Sequence, residues 1–340
     1  MAASDRARPV CETQADALLA ALTPFRRLAL AVSGGPDSTA LLLLVAAWRA
    51  RRTDPPDIHV LTVDHGLRPE AAAEARTVTA LCERLGLSCR ILTSTAPKPS
   101  ANRQAAARDL RRGLLVTACA DLAVEALVLA HHLDDQAETF LLRLARGSGV
   151  YGLAAMPARG LWHDGNGACV TVLRPLLAVS KASLVATCSA AGEAYAEDPS
   201  NEDPAYARTR LRQLMPALAG EGLDAATLAA TAARLASAAA AIDGQVDAVM
   251  ASCAVFHPAG PVRLSVEALA LLPREALLRL FARVLADVGG EAYSPRLVRL
   301  EGFVDRLAAR EIAQSTLSGV VARRCGEEIA FWREPGRDGL

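Results

Sequence analysis

The sequence predicts an α/β protein: a parallel β-sheet with helices packed on its faces, followed by a mainly helical C-terminal domain. Two patterns lead to this expectation. Short apolar runs alternate with helix-like segments through the first 146 residues, and the alternation gives way after Met156 to an Ala-rich, helical C-terminal part. Brief apolar runs that are each followed by a helix are βαβ units, whose strands are covered on both sides.

Taken in order, Leu28–Val32 is an apolar strand that runs into Ser33-Gly34-Gly35-Pro36-Asp37-Ser38, and Ser38–Arg49 is an apolar helix. Ile58–Val63 is a second, β-branched strand ending at Asp64-His65-Gly66; Glu70–Leu85 has helical periodicity and stops at Gly86. Cys89–Thr93 is a third strand and Asn102–Ala120 a third helix. Ala126–Ala130 is a fourth strand, and Asp134–Arg146 a helix terminated by Gly147. Beyond Met156, the Gly-rich stretch Arg159–Gly167 reads as a loop, Val170–Leu173 as a strand and Ser180–Ala191 as a helix. Asp198-Pro199-Ser200-Asn201 is dense in turn formers. Helices are expected at about 224–253, 274–287 and 294–310, and Gln314–Trp332 as two strand-like runs joined near Cys325-Gly326.

The chain has 340 residues, and roughly 150 per domain suggests two domains. They are placed at 1–218 and 219–340, with the boundary near Pro216–Gly222. Hydrophobic residues make up 52% and charged residues 22%, which argues against whole-chain disorder. Lys+Arg 37 balance Asp+Glu 37, so a uniformly basic nucleic-acid coat is excluded, whereas local basic faces are not. The eight cysteines include no CxxC pair, which argues against a zinc ribbon or a dithiol redox motif. Scattered thiols, no leader-like apolar region before Cys11 and no uninterrupted apolar span lead us to expect a cytoplasmic protein without a membrane partner.

Three motifs sit at strand ends. In Ser33–Ser38, two glycines allow a tight turn and close backbone approach to a ligand, and the following helix offers unpaired N–H groups to an anion. No Gly-Lys-Ser/Thr follows, so this is not a Walker A loop. Asp37 beside phosphate would call for a cation such as Mg²⁺ between them. Val63–Arg68 ends the second strand; in a parallel sheet it would border the same crevice. His131–Thr139 follows the fourth strand. Asp135 and Glu138 lie three apart and Asp134 and Glu138 four apart, so at a helix start they share a face.

The loop SGGPDS after an apolar strand resembles the PP-loop of the N-type ATP pyrophosphatases, a superfamily that includes GMP, NAD and asparagine synthetases and several tRNA-modifying enzymes. Together with VDHGLRPEA, AARDLR (106–111), AHHLDDQAETFLLRLARGSGVYGL (130–153), LRPLL (173–177), EDPSN (197–201) and RTRLR (208–212), it occurs in the order seen in the tRNA(Ile)-lysidine synthases, over about residues 25–218. The ending around Thr316–Gly319 and Arg333–Pro335 is similar to that family's shorter form. Thr209 stands where the family often has Asn, and Arg112 where an aromatic often follows AARDLR.

The resemblance implies a Rossmann-like PP-loop ATP pyrophosphatase fold for the first domain, and a two-step reaction. ATP adenylates the C2 oxygen of the wobble cytidine of tRNA(Ile) with a CAU anticodon. The ε-amine of free L-lysine then displaces AMP, giving lysidine, which pairs with A rather than G. Ser33, Gly34, Gly35, Pro36, Asp37 and Ser38, with Asp64 and His65, are expected to bind ATP, Asp37 also contacting Mg²⁺. Asp135 and Glu138, with Asp134 as the next candidate, are expected to capture lysine and accept its proton. The need is real, since at a reference pKa of ~10.4 only about one lysine amine in 2,500 is neutral at pH 7. Arg108 and Arg111 are expected at the adenylate phosphate, and His131 and His132 either position groups, shuttle protons or serve structurally. Candidate tRNA contacts are Arg143 and Arg146, then Arg208, Arg210 and Arg212, then Arg274, Arg279 and Arg283 in a tRNA-binding C-terminal domain; a homodimer stays open.

The rival readings are a PP-loop cytidine thiolase, which would need persulfide or iron–sulfur cysteines, an amidotransferase-type member, which would need a glutamine-hydrolysing domain, and an inactive tRNA-binding homologue. The cysteine pattern opposes the first and the retained Asp37, Asp135 and Glu138 oppose the last.

Overall fold

The computed structural model describes residues 8–64, 71–93, 103–164, 167–196, 205, 207–255, 261–290, 295–308 and 314–335. They form two units, the first built from residues up to Ala145 together with Ala155–Ala232, the second from Arg146–Ala154 together with the chain from Ala233 onward. The expected boundary at Pro216–Gly222 falls at the end of a helix within the first unit.

In the first unit, strands β1 (Arg27–Ala31), β2 (Asp57–Asp64), β3 (Ser88–Thr93), β4 (Ala126–Val128), β5 (Arg159–His163) and β6 (Cys169–Leu173) make one sheet in the order β3-β2-β1-β4-β6-β5. All neighbours are parallel except β5 and β6, which pair antiparallel with Arg159 opposite Leu173. This corrects the expected loop at Arg159–Gly167 and adds one antiparallel edge to the expected parallel sheet. Gly167, at φ +102°, marks the turn after β5, while Arg159–His163, with Gly160 inside it, alternates exposed and half-buried residues as an edge strand does.

Helices α1 (Glu12–Leu19), α2 (Pro36–Ala50), α3 (Ala71–Arg84), α4 (Arg103–Asp121), α5 (Leu133–Leu144), α7 (Lys181–Ala190) and α8 (Ala207–Gly220) belong to this unit. Leu28 and Leu30 face a core with Leu41, Leu42, Val45 and Trp48 of α2, while Ala29 and Ala31 face a second core with Leu115, Val116 and Cys119 of α4. The strand is thus buried on both faces, as a central parallel strand should be. Because β1 pairs with β2 on one side and β4 on the other, the connections leaving β1 and β4 diverge from a common crevice at their carboxyl ends, the usual ligand position in open α/β sheets.

The second unit contains the short helix α6 (Val150–Leu153), α10 (Val266–Ala270), α11 (Arg274–Gly289) and α12 (Leu297–Ala308). Its strands β7 (Ala254–Val255), β8 (Val262–Ser265), β9 (Gln314–Leu317), β10 (Val320–Cys325) and β11 (Glu328–Arg333) form an antiparallel sheet ordered β7-β8-β11-β10-β9. Phe281 packs edge-on against both Phe303 and Phe331, joining α11, α12 and β11 in one core. The hairpin at Cys325-Gly326 is the expected one, but Gln314–Trp332 makes three strands rather than two, because Ser318-Gly319 is itself a tight turn with φ +50° and +70°. A further helix, α9 (Ala225–Cys253), starts in the first unit and ends in the second. Within it Ala225–Ala251 is long and apolar enough on average to cross a membrane, although Arg234, Asp243 and Asp247 interrupt it. Alanine supplies that hydropathy, and a search for an unbroken apolar run passes over it.

Candidate active site

The turn from β1 into α2 is built around glycine. Gly34 has φ +85°, where a side chain is strained, and an added Cβ would stand 3.4 Å from Val78 Cγ2 of α3. Gly35 caps α2 and Pro36 takes the first helical position, where its missing N–H costs nothing. Ser38, buried, accepts from the Ser33 backbone N–H at 3.1 Å and donates to the Gly35 carbonyl at 3.1 Å, so its hydroxyl fixes the curvature of the loop. From outside, the Ala196 N–H holds the Gly34 carbonyl at 2.8 Å. Sequence reasoning had no signal for that last clamp, which comes from a residue far along the chain.

The second wall is the start of α5. His132 caps the helix, and its backbone N–H donates to Asp135 Oδ2 at 3.1 Å. Its buried ring bridges the two motifs: Nε2 lies 3.5 Å from both Asp37 Oδ2 and Asp135 Oδ2, and Nδ1 3.5 Å from Asp134 Oδ2. Burial alone would lower the pKa of this imidazole. The carboxylates of Asp134 and Asp37, each 3.5 Å from the ring, with the charge of Asp135, overcome it and raise the value to about 10. His132 is therefore an imidazolium that holds three acids in one place. Asp134 also accepts from the Lys181 N–H at the start of α7, at 2.9 Å, and its carboxyl sits below the usual range; burial opposes that shift and the His132 contact drives it. One oxygen of Asp37, Oδ1, is buried without a hydrogen-bond partner.

One turn further, Glu138 is buried and paired with Arg212 of α8, Nε to Oε1 at 2.5 Å and the second guanidinium nitrogen to Oε2 at 3.3 Å. Arg208 Nε stands 4.0 Å from Glu138, and its terminal nitrogen donates to Thr139 at 3.4 Å. Glu138, expected to capture lysine, is thus engaged by a guanidinium expected to meet phosphate. On the opposite side, Arg174, buried just after β6, donates from Nε to His131 Nδ1 at 3.3 Å and to the Pro157 carbonyl at 2.9 Å. His131 feels Asp135, Arg174, Arg208 and Arg111, and burial lowers its pKa to about 4, so it is neutral where His132 is charged.

The structure thus brings Ser33–Ser38, Asp134, Asp135, Glu138, Arg208, Arg212 and, through its field at His131, Arg111 into one region of the first unit. Arg108 is exposed on α4, and Asp64 ends β2 half-buried; His65 and the EDPSN segment lie outside the described residues. Arg143 donates to the Ala155 carbonyl at 2.8 Å, Arg210 to the Ala205 carbonyl at 2.8 Å, and Arg146 is exposed. In the second unit Arg274 pairs with Asp305 at 2.5 Å, Arg279 with Asp243 at 2.7 Å, and Arg283 with Asp247. Of the two departures from the family pattern, Thr209 is buried and Arg112 lies over the Trp162 ring at 5.4 Å, a packing role that an aromatic could also fill. Arg174 was contained in the LRPLL segment, but nothing in the sequence tied it to His131.

A family model described as a PP-loop domain matches residues 8–218. The tRNA(Ile)-lysidine synthase of Rhodopseudomonas palustris is 44% identical, over 97% of this chain and 97% of its own. That of Methylobacterium nodulans is 46% identical over 91% and 90%. The longer one of Ruegeria pomeroyi is 40% identical over 92% of this chain and 72% of its own. Among solved structures, the U34-tRNA thiolase NcsA from Methanococcus maripaludis with its [4Fe-4S] cluster superposes with a TM-score of 0.56 at 16% identity, over 66% of this chain and 77% of that one, a likeness of fold alone. With the nucleotide loop, the acid cluster and near full-length relatives agreeing, the chain belongs to the tRNA(Ile)-lysidine synthase family of PP-loop enzymes.

Proposed function

We propose that this chain ligates free L-lysine to C2 of the wobble cytidine of tRNA(Ile) with a CAU anticodon, through an adenylated intermediate, consuming ATP and releasing pyrophosphate and AMP. One observation carries the chemistry: His132 ties Asp37 of the nucleotide loop to Asp135 of α5, so the group that meets phosphate and the group that meets an amine are held 3.5 Å from one ring.

The backbone N–H groups of the Gly34-Gly35 turn and the N-terminus of α2 bind the pyrophosphate of ATP. Ser33 and Ser38 hold that loop in shape, and Asp64 borders it. Magnesium fits Asp37, whose buried Oδ1 lacks a partner; among the described residues no cluster of three or more ligating side chains occurs, so phosphate oxygens would complete the shell. The ion would neutralise charge on the departing pyrophosphate. Arg111 and Arg108 stabilise the phosphate of the adenylate by charge-assisted contacts.

Asp135 binds the lysine ammonium and accepts its proton as the amine attacks C2. Glu138 has both oxygens on Arg212, whereas Asp135, like the next candidate Asp134, is engaged through Oδ2 alone, which leaves it an oxygen for the ammonium. Glu138 contributes by anchoring Arg212 and Arg208 beside the site, and completes the ammonium pocket. Arg146 and the second unit supply tRNA contacts, the protein working in the cytoplasm where its tRNA is.

The test is ATP–pyrophosphate exchange with purified chain. Exchange should require tRNA(Ile) bearing CAU and should survive omission of lysine. Exchange that ignores the tRNA would contradict the reading.

A further inference from the structure

We propose that Arg174 is a positioning residue that fixes His131 as the neutral Nε2–H tautomer, so that His131 serves the lysidine reaction as a hydrogen-bond donor and not as a proton-accepting base. The inference rests on the function proposed above. A guanidinium has N–H donors and no acceptor, so the Nδ1 that receives Arg174 Nε–H at 3.3 Å must carry a lone pair. A neutral imidazole with Nδ1 unprotonated holds its proton on Nε2. Arg174 has no freedom to leave: it is buried, and its second nitrogen is held by the Pro157 carbonyl at 2.9 Å.

The ring's surroundings reinforce this. The charged groups that face it are Asp135 from α5, Arg174 after β6, Arg208 from α8 and Arg111 from α4. The three arginines and burial keep the ring from acquiring a proton, against the pull of Asp135. Of these four charged groups Asp135 alone can accept a hydrogen bond, so we assign Asp135 or a substrate oxygen as the partner of Nε2–H. With Nδ1 occupied and Nε2 protonated, the ring has no lone pair to take the lysine proton. The LRPLL segment thereby acquires a function that its sequence did not suggest.

The experiment labels the full chain with ¹⁵N-histidine and reads the ring nitrogens by long-range ¹H–¹⁵N correlation, His131 being assigned with His131→Gln. Wild type should show a single Nε2–H pattern for His131 from pH 5 to 8. In Arg174→Met the pattern should become a mixture that titrates toward the ordinary value of about 6.5. kcat for lysidine formation should fall on the order of 10²-fold, the lower end of what a preorganised hydrogen-bond donor supplies, with KM for ATP and lysine little changed. Arg174→Lys, which restores a donor, should recover the tautomer in part. An Nδ1–H pattern in wild type, or Arg174→Met with unaltered tautomer and kcat, overturns the proposal. Should Arg174→Met not fold, His131→Gln and His131→Asn decide: Gln places an amide N–H near Nε2 and should retain more activity than Asn, and the reverse order refutes the assignment. The tautomer is read without turnover, so a chain that makes no lysidine but keeps Nε2–H fails the functional reading and not this geometry.

Discussion

Glu138 and Arg212 give the most quantitative handle on the site. The Glu138 side chain is 3% exposed and the Arg212 side chain 34%, so the two ends of one ion pair differ in their access to water. Removing one partner of a fully buried pair costs about 3–5 kcal/mol, whereas surface pairs are worth about 0–1 kcal/mol. Arg212→Met strands the buried carboxylate, with only Arg208 at 4.0 Å to compensate. Discounting for that neighbour and for the part-exposed guanidinium leaves about 2–3 kcal/mol. For a domain of this size that is a Tm decrease of about 5–10 °C. Glu138→Gln frees a guanidinium that can turn to solvent, and should cost about 1 kcal/mol. The double variant should be more stable than Arg212→Met alone, because no unpaired charge is left inside. Thermal and urea unfolding of the four proteins closes the cycle. Equal losses for the two single variants, or a double variant no better than Arg212→Met, would refute the assignment of Glu138 as the buried, dependent partner.

Other consequences are as direct. His132 has a folded pKa of about 10 against an ordinary 6.5, so its stabilising contribution is complete below pH 6.5 and fades as pH rises through 10. The Tm gap between wild type and His132→Asn should therefore narrow from pH 6 to pH 10; a gap that widens contradicts the clamp. Gly34→Ala forces a side chain to φ +85°, at about 1–2 kcal/mol, and should weaken ATP binding in calorimetry more than it lowers Tm. An unchanged ATP affinity would mean the loop does not approach the nucleotide. Asp135→Asn should leave tRNA-dependent pyrophosphate exchange largely intact and abolish lysine transfer; the opposite pattern would place Asp135 in the adenylation step.

The legible parts of this protein are those set by local rules. Gly34, Pro36 and the acids of α5 announce a strand-to-helix nucleotide turn and an acidic helix start, because backbone conformation, dipole and helical spacing are encoded within a few residues. Edge strand β5 was hidden: Arg159–His163 contains Gly160, is followed by further glycines, and pairs with β6 through backbone groups that leave no periodic apolar signature. β7 and β8 were equally silent, being two and four residues long. At the site, the motifs identified which acids matter but not how they divide the work. Asp134, Asp135 and Glu138 are interchangeable on a helical wheel; Lys181, His132 and Arg212, each reaching in from another segment or the cap, make them different. The arginines suffered most. Arg212, Arg279 and Arg283 read as candidate tRNA contacts, whereas each has a carboxylate partner that only the fold reveals.

The most direct measurement is the chemical identity of the wobble nucleoside. CAU-anticodon tRNA(Ile) transcript, incubated with the purified chain, ATP, magnesium and isotopically labelled lysine, is digested and its nucleosides are resolved by mass spectrometry. The account predicts one cytidine per tRNA converted to a labelled lysine adduct at C2, absent when ATP is withheld. Cytidine left unmodified with an active, ATP-binding preparation, or a thiolated base in its place, would contradict it.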